Sequence, residues 1–371
     1  MPMSYNWSND RIHARHRTVK YMNIKNRPKQ IAAIFFSFTI LFTAQAMNFT
    51  AARKRLAMPE IDRIRLAEAF ALGENISNHL WTNWNTAPFA VLLVTPDNEY
   101  LVRHPNPSRD FMPLGYDALL KSDVYGRRRT QGTNLLATFP AIKGSAVPTI
   151  VVGEAENTGA KTSTPWVVTL LHEHFHQLQY SRSNYYAETA ALNLAHGDQT
   201  GMWMLNYAFP YENKLVWGQF AALAKLLVET AASKSSVDHS NLFVAYLQAR
   251  RQFQQLLSPE DYKYFSFQAW QEGIARYTEF DVAKFAAAEH KPIKEFRALK
   301  DFTPFAEVAN SIHEKIFQQL LTQQLGLSKR EMFYPFGAAE GLLLDAANPS
   351  WRNRYFEEKF DLGKYYPSIE L

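Results

Sequence analysis

The most constraining feature of this chain is the segment "VVTLLHEHFHQLQY" (167–180), which has the pattern of a buried helix and yet contains three histidines. Each residue of an α-helix turns by about 100°, so side chains three and four positions apart share a face. Four apolar side chains form one such stripe: Val167, Leu171, Phe175 and Leu178. A helix with this stripe must pack against other elements, so its histidines are expected to lie in or near the protein interior.

His172 and His176 lie one helical turn apart on the face beside the stripe, and Glu173 projects next to them. Two imidazoles at this spacing can both reach one metal ion, about 2.0–2.1 Å from each nitrogen. The arrangement His-Glu-x-x-His is typical of zinc sites in which the glutamate acts on a water molecule. The pattern therefore predicts a Zn²⁺ site. His174 points away from the pair, and we expect it to be partly exposed or to support the site.

The patterns around this helix indicate an α+β protein. An apolar run at 148–154 predicts a strand, and Thr164-Pro165 predicts the N-cap and the first residue of the helix. Upstream, 59–80 has helical periodicity, 89–104 has the pattern of strand, turn and strand, and 104–134 is expected to be irregular. Five later segments have helical patterns: 215–232, 238–257, 262–290, 306–325 and 336–347.

A catalytic zinc usually has three protein ligands and one open position. Gln179 and Arg182 occupy the places where one known pattern has a Gly and a His soon after the second histidine. Three residues further along are candidates for the third ligand: Glu188, His196 and Glu272. Glu272 has the most rigid setting, because it lies in a long predicted helix beside Gly273, where another helix can approach closely.

The two segments "LLHEHFHQ" and "WQEGIARYTE" together resemble the gluzincin metallopeptidases, the group that contains thermolysin and aminopeptidase N. This resemblance implies a zinc peptidase in which His172, His176 and Glu272 bind the metal and Glu173 is the general base. It covers the two helices and the strand before them, and it leaves residues 47–147 unexplained. His176 and Glu272 are 96 residues apart, several times more than in the best-known members, so a helical insertion is expected at about 181–261.

Two further residues have weaker signals. Glu279 shares a helix face with Glu272, but seven residues span about 10.5 Å along a helix, so one ion cannot bind both. We expect Glu279 either to support a metal ligand, with Arg276 beside it, or to form a simple ion pair on the helix face. Tyr334, in "MFYPFGAAEG", is a candidate hydrogen-bond donor to a reaction oxyanion, and the alternative is an aromatic packing residue.

The loop "GEAEN" (153–157) resembles the stretch with which relatives of aminopeptidase N hold the free amine of a substrate. By that resemblance Glu156 would bind the amine. The alternative is a polar loop that closes an edge strand, and such an edge can still accept an extended peptide. The aromatic segment 201–211 is expected to pack in the core or to line a substrate pocket.

The N-terminal part of the chain has the features of a secretion signal. Seven of the 40 lysines and arginines, but only one of the 35 acidic residues, lie in residues 1–46. Basic residues precede an apolar run that ends in Ala44-Gln45-Ala46, which predicts cleavage there, and Met22 is an alternative start. An uncleaved anchor is the alternative. The remaining chain is nearly neutral, which gives no indication of nucleic-acid binding.

We therefore predict an α+β protein with a leader at 1–46, a small mixed α/β region with an edge strand at 47–164, and a mostly helical zincin-like region at 165–371. The expected function is an exported, periplasmic or secreted, zinc peptidase that acts on peptides or proteins. No stable membrane span is expected after signal cleavage. Two alternatives stay open: a zinc hydrolase of the same fold with a non-peptide substrate, and a non-catalytic peptide-binding protein.

Overall fold

A computed structural model describes residues 56–77, 79–233 and 236–367. The leader predicted for residues 1–46, with its start at Met22 and its cleavage after Ala46, lies outside the described residues, so export stays a prediction. These described residues belong to one packed unit. The boundary predicted at 164/165 falls inside that unit, at the point where a mixed sheet gives way to helices.

The first part of the described chain combines one helix with a six-stranded sheet. Helix α1 is Glu60–Ile76, and the strands are β1 (Val91–Val94), β2 (Asn98–Val102), β3 (Met112–Asp117), β4 (Ser122–Arg128), β5 (Leu136–Phe139) and β6 (Thr149–Gly153). Their spatial order is β3-β4-β2-β1-β6-β5. Strands β1 and β6 are parallel and the other neighbours are antiparallel. The predicted α+β class is confirmed.

Two expectations about strands were wrong. The segment 104–134 is not irregular, because β3 and β4 pair there and extend the sheet beyond β2. These strands lie at the half-exposed side of the sheet, and a register shift between Pro113 and Gly115 interrupts their alternation, so the sequence pattern is weak. Strand β6 is not at the edge, because it lies between β1 and β5 and is fully buried; β5 is the edge strand on this side of the sheet, and β3 is the edge strand on the other.

The histidine-bearing helix α2 (Ser163–Tyr180) packs against this sheet. It begins two residues before the predicted position, and its N-cap Thr162 makes no side-chain capping bond. Asp301, far away in the chain, instead accepts a hydrogen bond from the Ser163 backbone N–H at 2.9 Å. The buried Gln177 amide donates to the Ala90 and Pro148 carbonyl oxygens at 2.9 and 2.8 Å, and these bonds fix α2 to the strands.

The rest of the chain is helical. The helices are α3 (Tyr185–Ala191), α4 (Trp203–Asn206), α5 (Lys214–Ala232), α6 (Ser236–Leu256), α7 (Pro259–Gln268), α8 (Ile274–Glu289), α9 (Lys294–Arg297), α10 (Phe305–Thr322), α11 (Leu325–Ser328), α12 (Phe333–Ala347) and α13 (Trp351–Arg354). The first four of these, α3 to α6, fill the predicted insertion at 181–261. Each of the five predicted long helices is present within a few residues.

A single turn of π-helix, Ala269–Gly273, connects α7 to α8. Gly273 faces Gly337 of α12 so closely that a Cβ atom on either glycine would overlap backbone atoms of the other helix. The predicted close approach of a helix at Gly273 is therefore confirmed. Trp270, at the same turn, is fully buried and stacks on Tyr355 with ring centroids 4.5 Å apart. These contacts hold the π-helical turn rigidly.

Within the described part of the chain, helix α5 is long and apolar enough to cross a membrane when judged by length and composition alone. Core helices of soluble proteins meet the same criteria. Phe220, Leu223 and Leu227 are buried along one face of α5, which packs against α6 and α12.

Candidate metal centre

His172 and His176 project from the same face of α2, with ring centroids 5.0 Å apart. Both side chains are buried, and so is Glu173. The ligand atoms of these three residues lie within 4.8 Å of one another. Because buried histidines and carboxylates grouped this closely are characteristic of metal sites, the group can hold a metal ion.

Glu272 comes to the same place from the π-helical turn. Its Oε2 atom lies 3.3 Å from Nε2 of His176, and its side chain is 17% exposed. A π-helical turn inserts one extra residue per turn and is frequent at functional sites because it changes the direction of the side chains in it. The 96 residues between His176 and Glu272 in the sequence thus do not keep the two side chains apart.

His176 and Glu272 form a strong electrostatic pair. Burial by itself lowers the pKa of His176, but the charge of Glu272 more than compensates and raises it to about 9. Burial likewise raises the pKa of Glu272, whereas the two histidines, His176 foremost, lower it to about 2. The carboxylate is therefore ionised and ready to bind a cation, and a metal ion that binds here must displace the imidazole proton.

A hydrogen-bond network around Gln179 fixes which nitrogen of His176 faces Glu272. The Gln179 amide nitrogen donates to the Gln271 carbonyl oxygen at 3.1 Å and to the Tyr355 hydroxyl at 2.8 Å. Its Oε1 atom must therefore accept the hydrogen bond from Nδ1 of His176, which is 2.7 Å away. Nδ1 carries a proton as a result, and Nε2 is the nitrogen that is available to a metal.

Glu279 lies beside the other histidine. Its Oε2 atom is 3.4 Å from Nδ1 of His172 and accepts a hydrogen bond from Arg276 at 2.6 Å. The pKa of Glu279 is lowered to about 2, because Arg276 and His172 outweigh the effect of burial. The carboxylate lies on the Nδ1 side of His172 at ion-pair distance, and the buried Nδ1 atom makes no hydrogen bond.

Glu173 is held by the edge strand of the sheet. The Thr138 hydroxyl of β5 lies 2.7 Å from Oε2 of Glu173 and 3.1 Å from the Glu173 backbone oxygen. A hydroxyl has one hydrogen to donate, and both of these oxygens are acceptors. The shorter distance favours the carboxylate as the acceptor, so Thr138 can hold the Glu173 side chain next to the two histidines.

Tyr334, at the start of α12, also lies at the centre. Its hydroxyl accepts a hydrogen bond from Arg330 at 2.7 Å and interacts with the Glu272 carboxylate. Burial, and after it the charge of Glu272, raises the pKa of Tyr334 well above its ordinary value. The hydroxyl therefore keeps its proton at neutral pH. Since Arg330 donates to a lone pair of the oxygen, the hydroxyl hydrogen is directed at the Glu272 carboxylate, which accepts it.

Glu156 does not lie with these residues. Its carboxylate forms two hydrogen bonds with Arg65, at 2.6 and 3.0 Å, and Arg65 in turn contacts Ser163 at the start of α2. Ser163 and His172 are nine residues apart, about 13.5 Å along a helix. The resemblance that suggested an amine-binding role for Glu156 therefore finds no support in its position, and we leave this residue out of the site.

The competing candidates for the third ligand lie elsewhere as well. Glu188 forms an ion pair with Lys359 at 2.7 Å, and His196 is 59% exposed and lies 3.7 Å from Glu260. The expectation that His174 is partly exposed was wrong. Its ring is buried and stacks on Phe89 with centroids 4.0 Å apart, and burial lowers its pKa to about 4. His174 is a core residue.

Sequence reasoning did not identify three residues that contact the centre: Thr138, Gln179 and Arg330. The only signal that could have pointed to Gln179 is its spacing, three positions after His176 on the same helix. Arg330 likewise lies four positions before Tyr334, whereas Thr138 has no local signal, because it reaches the site from another element.

Comparisons of the chain with known proteins identify no relative. No family model matches the chain, and neither curated proteins nor solved structures give a match.

Proposed function

We propose that this protein is a zinc-dependent peptidase of the gluzincin type. The observation that carries the proposal is the convergence of Glu272 on His176 from a distant helix, next to His172 and the buried Glu173. This gives two imidazole nitrogens and a carboxylate as ligands, with a second carboxylate beside them. Zinc catalytic sites with two histidines and one glutamate have this composition.

The protonation pattern of the site fits a cation of this kind. Gln179 fixes Nδ1 of His176 by a hydrogen bond, and the Glu279 carboxylate lies 3.4 Å from Nδ1 of His172, so we assign Nε2 as the ligand atom of both histidines. Imidazole and carboxylate ligands suit zinc among the first-row metals. When bound, zinc supplies a Lewis acid that polarises a carbonyl group and lowers the pKa of a water molecule.

The residues of the chain then have distinct tasks. Glu173, held by Thr138, accepts a proton from the attacking water and delivers it to the leaving amine. Tyr334 keeps its hydroxyl proton, which points at Glu272 in this structure, and would turn it to the oxyanion that develops on the substrate carbonyl. His172, His176 and Glu272 would hold the metal, and the negative charge of Glu279 lies beside His172.

The position of the edge strand favours a peptide as the substrate. Strand β5 pairs with β6 on one side, and no described strand lies on its other side. Thr138, in the middle of β5, contacts Glu173 directly. An extended peptide that adds to this edge through main-chain hydrogen bonds would pass beside Glu173. The alternative of a zinc hydrolase with a non-peptide substrate makes no use of that edge.

The proposal is tested by metal content and hydrolysis together. We expect the purified chain to contain one zinc per chain by mass spectrometry and to cleave members of a peptide library. Removal of zinc with a chelator should abolish cleavage, and re-addition should restore it, because the nucleophile depends on the metal. A zinc-loaded protein that cleaves no peptide but hydrolyses another class of substrate would support the alternative of a non-peptide hydrolase. A protein that binds peptides without cleaving them would support the alternative of a non-catalytic binding protein.

We further predict that Gln179→Leu lowers zinc affinity. The substitution keeps the volume but removes the acceptor that fixes the proton on Nδ1 of His176, and loss of such a supporting partner typically costs about 10–100-fold in metal affinity. Competition with a fluorescent chelator of known affinity measures the change. Gln177→Leu is the control for a general loosening of the helix, since it removes an equally buried amide that contacts His174 and fixes α2 to the strands but does not contact His176. Equal zinc affinities of the two variants would contradict the role of Gln179.

A further inference from the structure

A cavity of about 740 Å³ lies between two segments, 205–213 and 327–331. Its volume is within the range of ligand-binding clefts, roughly 300–1,000 Å³. The aromatic side chains of Tyr207, Phe209 and Tyr211 line one side. Residues 327–331 line the other side and continue into helix α12, whose first turn contains Tyr334 at the metal centre.

Arg330 connects this cavity to the metal centre. It lines the cavity, and its Nη1 atom donates to the Tyr334 hydroxyl, which in turn interacts with Glu272. The charge of Glu272 also acts on Arg330 itself. A group bound to Arg330 in the cavity would therefore lie within a few side chains of the reacting bond.

Arg330 also differs in its partners from three of the most ion-paired arginines of this protein. Arg65, Arg250 and Arg352 each form ion pairs with at least two carboxylates. In the described part of the chain, no carboxylate oxygen lies within 4.0 Å of the Arg330 guanidinium, and its hydrogen-bond partner is Tyr334. A guanidinium has five N–H donors, so most of its hydrogen-bonding capacity is unused.

The other charged residues around the cavity do not neutralise the positive charge of Arg330. Lys329, Glu212 and Glu331 line it too, but all three are exposed, whereas Arg330 is half-buried. Water and salt screen exposed charges much more strongly than partly buried ones. Arg330 is therefore the charge that a ligand in the cavity would experience most directly.

We propose that Arg330 binds a carboxylate of the substrate in this cavity. A planar guanidinium matches a carboxylate with two parallel hydrogen bonds. The carboxylate belongs either to an acidic side chain or to the C-terminus of the peptide. The inference deepens the proposed peptidase function and rests on it, since it names the substrate class that the same site selects.

The test compares acid and amide versions of one peptide. An alanine-rich peptide receives Glu or Gln at each position in turn, and each peptide is made with a free and with an amidated C-terminus. We expect wild-type, zinc-loaded protein to favour the acid at one position, or the free C-terminus, by about 10–100-fold in kcat/KM, as a charged hydrogen-bonded pair implies. Preference at an internal position identifies an acidic side chain, and preference for the free terminus identifies the C-terminal carboxylate.

Three variants test whether Arg330 causes the preference for the acid. Arg330→Gln should reduce the acid-to-amide ratio to about one, and Arg330→Lys should retain part of it because the charge remains without the planar pair of donors. Lys329→Gln removes an exposed cation of the same cavity and should leave the ratio unchanged. Since Arg330 also contacts Tyr334, its substitution will lower turnover of every peptide, and the ratio is the quantity that reports on carboxylate binding.

Calorimetric titration of the zinc-loaded Glu173→Gln variant with the same peptides measures binding without turnover. The inference about Arg330 is overturned, and the peptidase proposal stands, if peptides are cleaved but the acid-to-amide ratio is about one both in kcat/KM and in calorimetric affinity. It is also overturned if a large ratio persists in Arg330→Gln. If no peptide is cleaved but the binding ratio depends on Arg330, the carboxylate site stands and the peptidase proposal fails.

Discussion

Glu173→Gln is expected to keep one zinc per chain and to lose peptide hydrolysis by about 10²–10⁴-fold, the usual contribution of a general base. The amide has the same shape as the carboxylate and can still accept the hydrogen bond from Thr138. It cannot take a proton from water. Steady-state kinetics on a cleaved peptide, with metal content measured on the same sample, checks both parts of the prediction.

Glu188→Gln is the matched control, because Glu188 is a partly exposed glutamate that pairs with Lys359 away from the centre. Its turnover should be close to that of the wild type. Near-native turnover of Glu173→Gln would show that Glu173 is not the general base. Loss of zinc from Glu173→Gln, with zinc retained in a Glu272 variant, would instead make Glu173 the third ligand.

Glu272→Ala is expected to lose zinc. The substitution removes the carboxylate that lies 3.3 Å from Nε2 of His176 and leaves two histidines as the remaining ligands of our proposed set. Affinity should fall by more than the roughly 10–100-fold expected for a residue that only supports a ligand. Mass spectrometry of metal content and chelator competition measure the loss of zinc. Glu272→Gln keeps the side-chain volume and removes the charge, so it separates the effect of the lost charge from that of the cavity left by alanine.

Two bystander variants complete this comparison. Glu188→Ala and His196→Ala should each keep zinc at one per chain, because their side chains contact Lys359 and Glu260 rather than the histidines. If Glu272→Ala binds zinc normally while Glu188→Ala loses it, the gluzincin assignment is wrong. The pair of results would then place the third ligand on the inserted helices.

The central helix of the site follows from the sequence alone. The 3.6-residue period fixes which side chains share a face, so His172 and His176 must be neighbours wherever that helix packs. The same local rule located the later helices to within a few residues, and the small side chain of Gly273 predicted the close contact with Gly337. These features depend on residues that are near one another in the chain.

The weak points of the sequence reasoning share one cause, since each depends on a partner that is distant in the chain. Strands β3 and β4 exist because β2 provides a pairing edge, and helix α2 begins at Ser163 because Asp301 accepts its first N–H. The register shift in β3 interrupts the alternation by which a half-buried strand is predicted, and a cap supplied from a distant residue has no local pattern.

The site itself divides in the same way. The sequence by itself determined the histidine pair with Glu173 beside it, through the geometry of a single helix. Only the tertiary structure decided that Glu272 meets His176, that Thr138 orients Glu173, and that Arg330 links the centre to a cavity. A π-helical turn, an edge strand and a helix start bring these side chains together, because contacts between distant segments depend on how whole elements pack rather than on any local pattern.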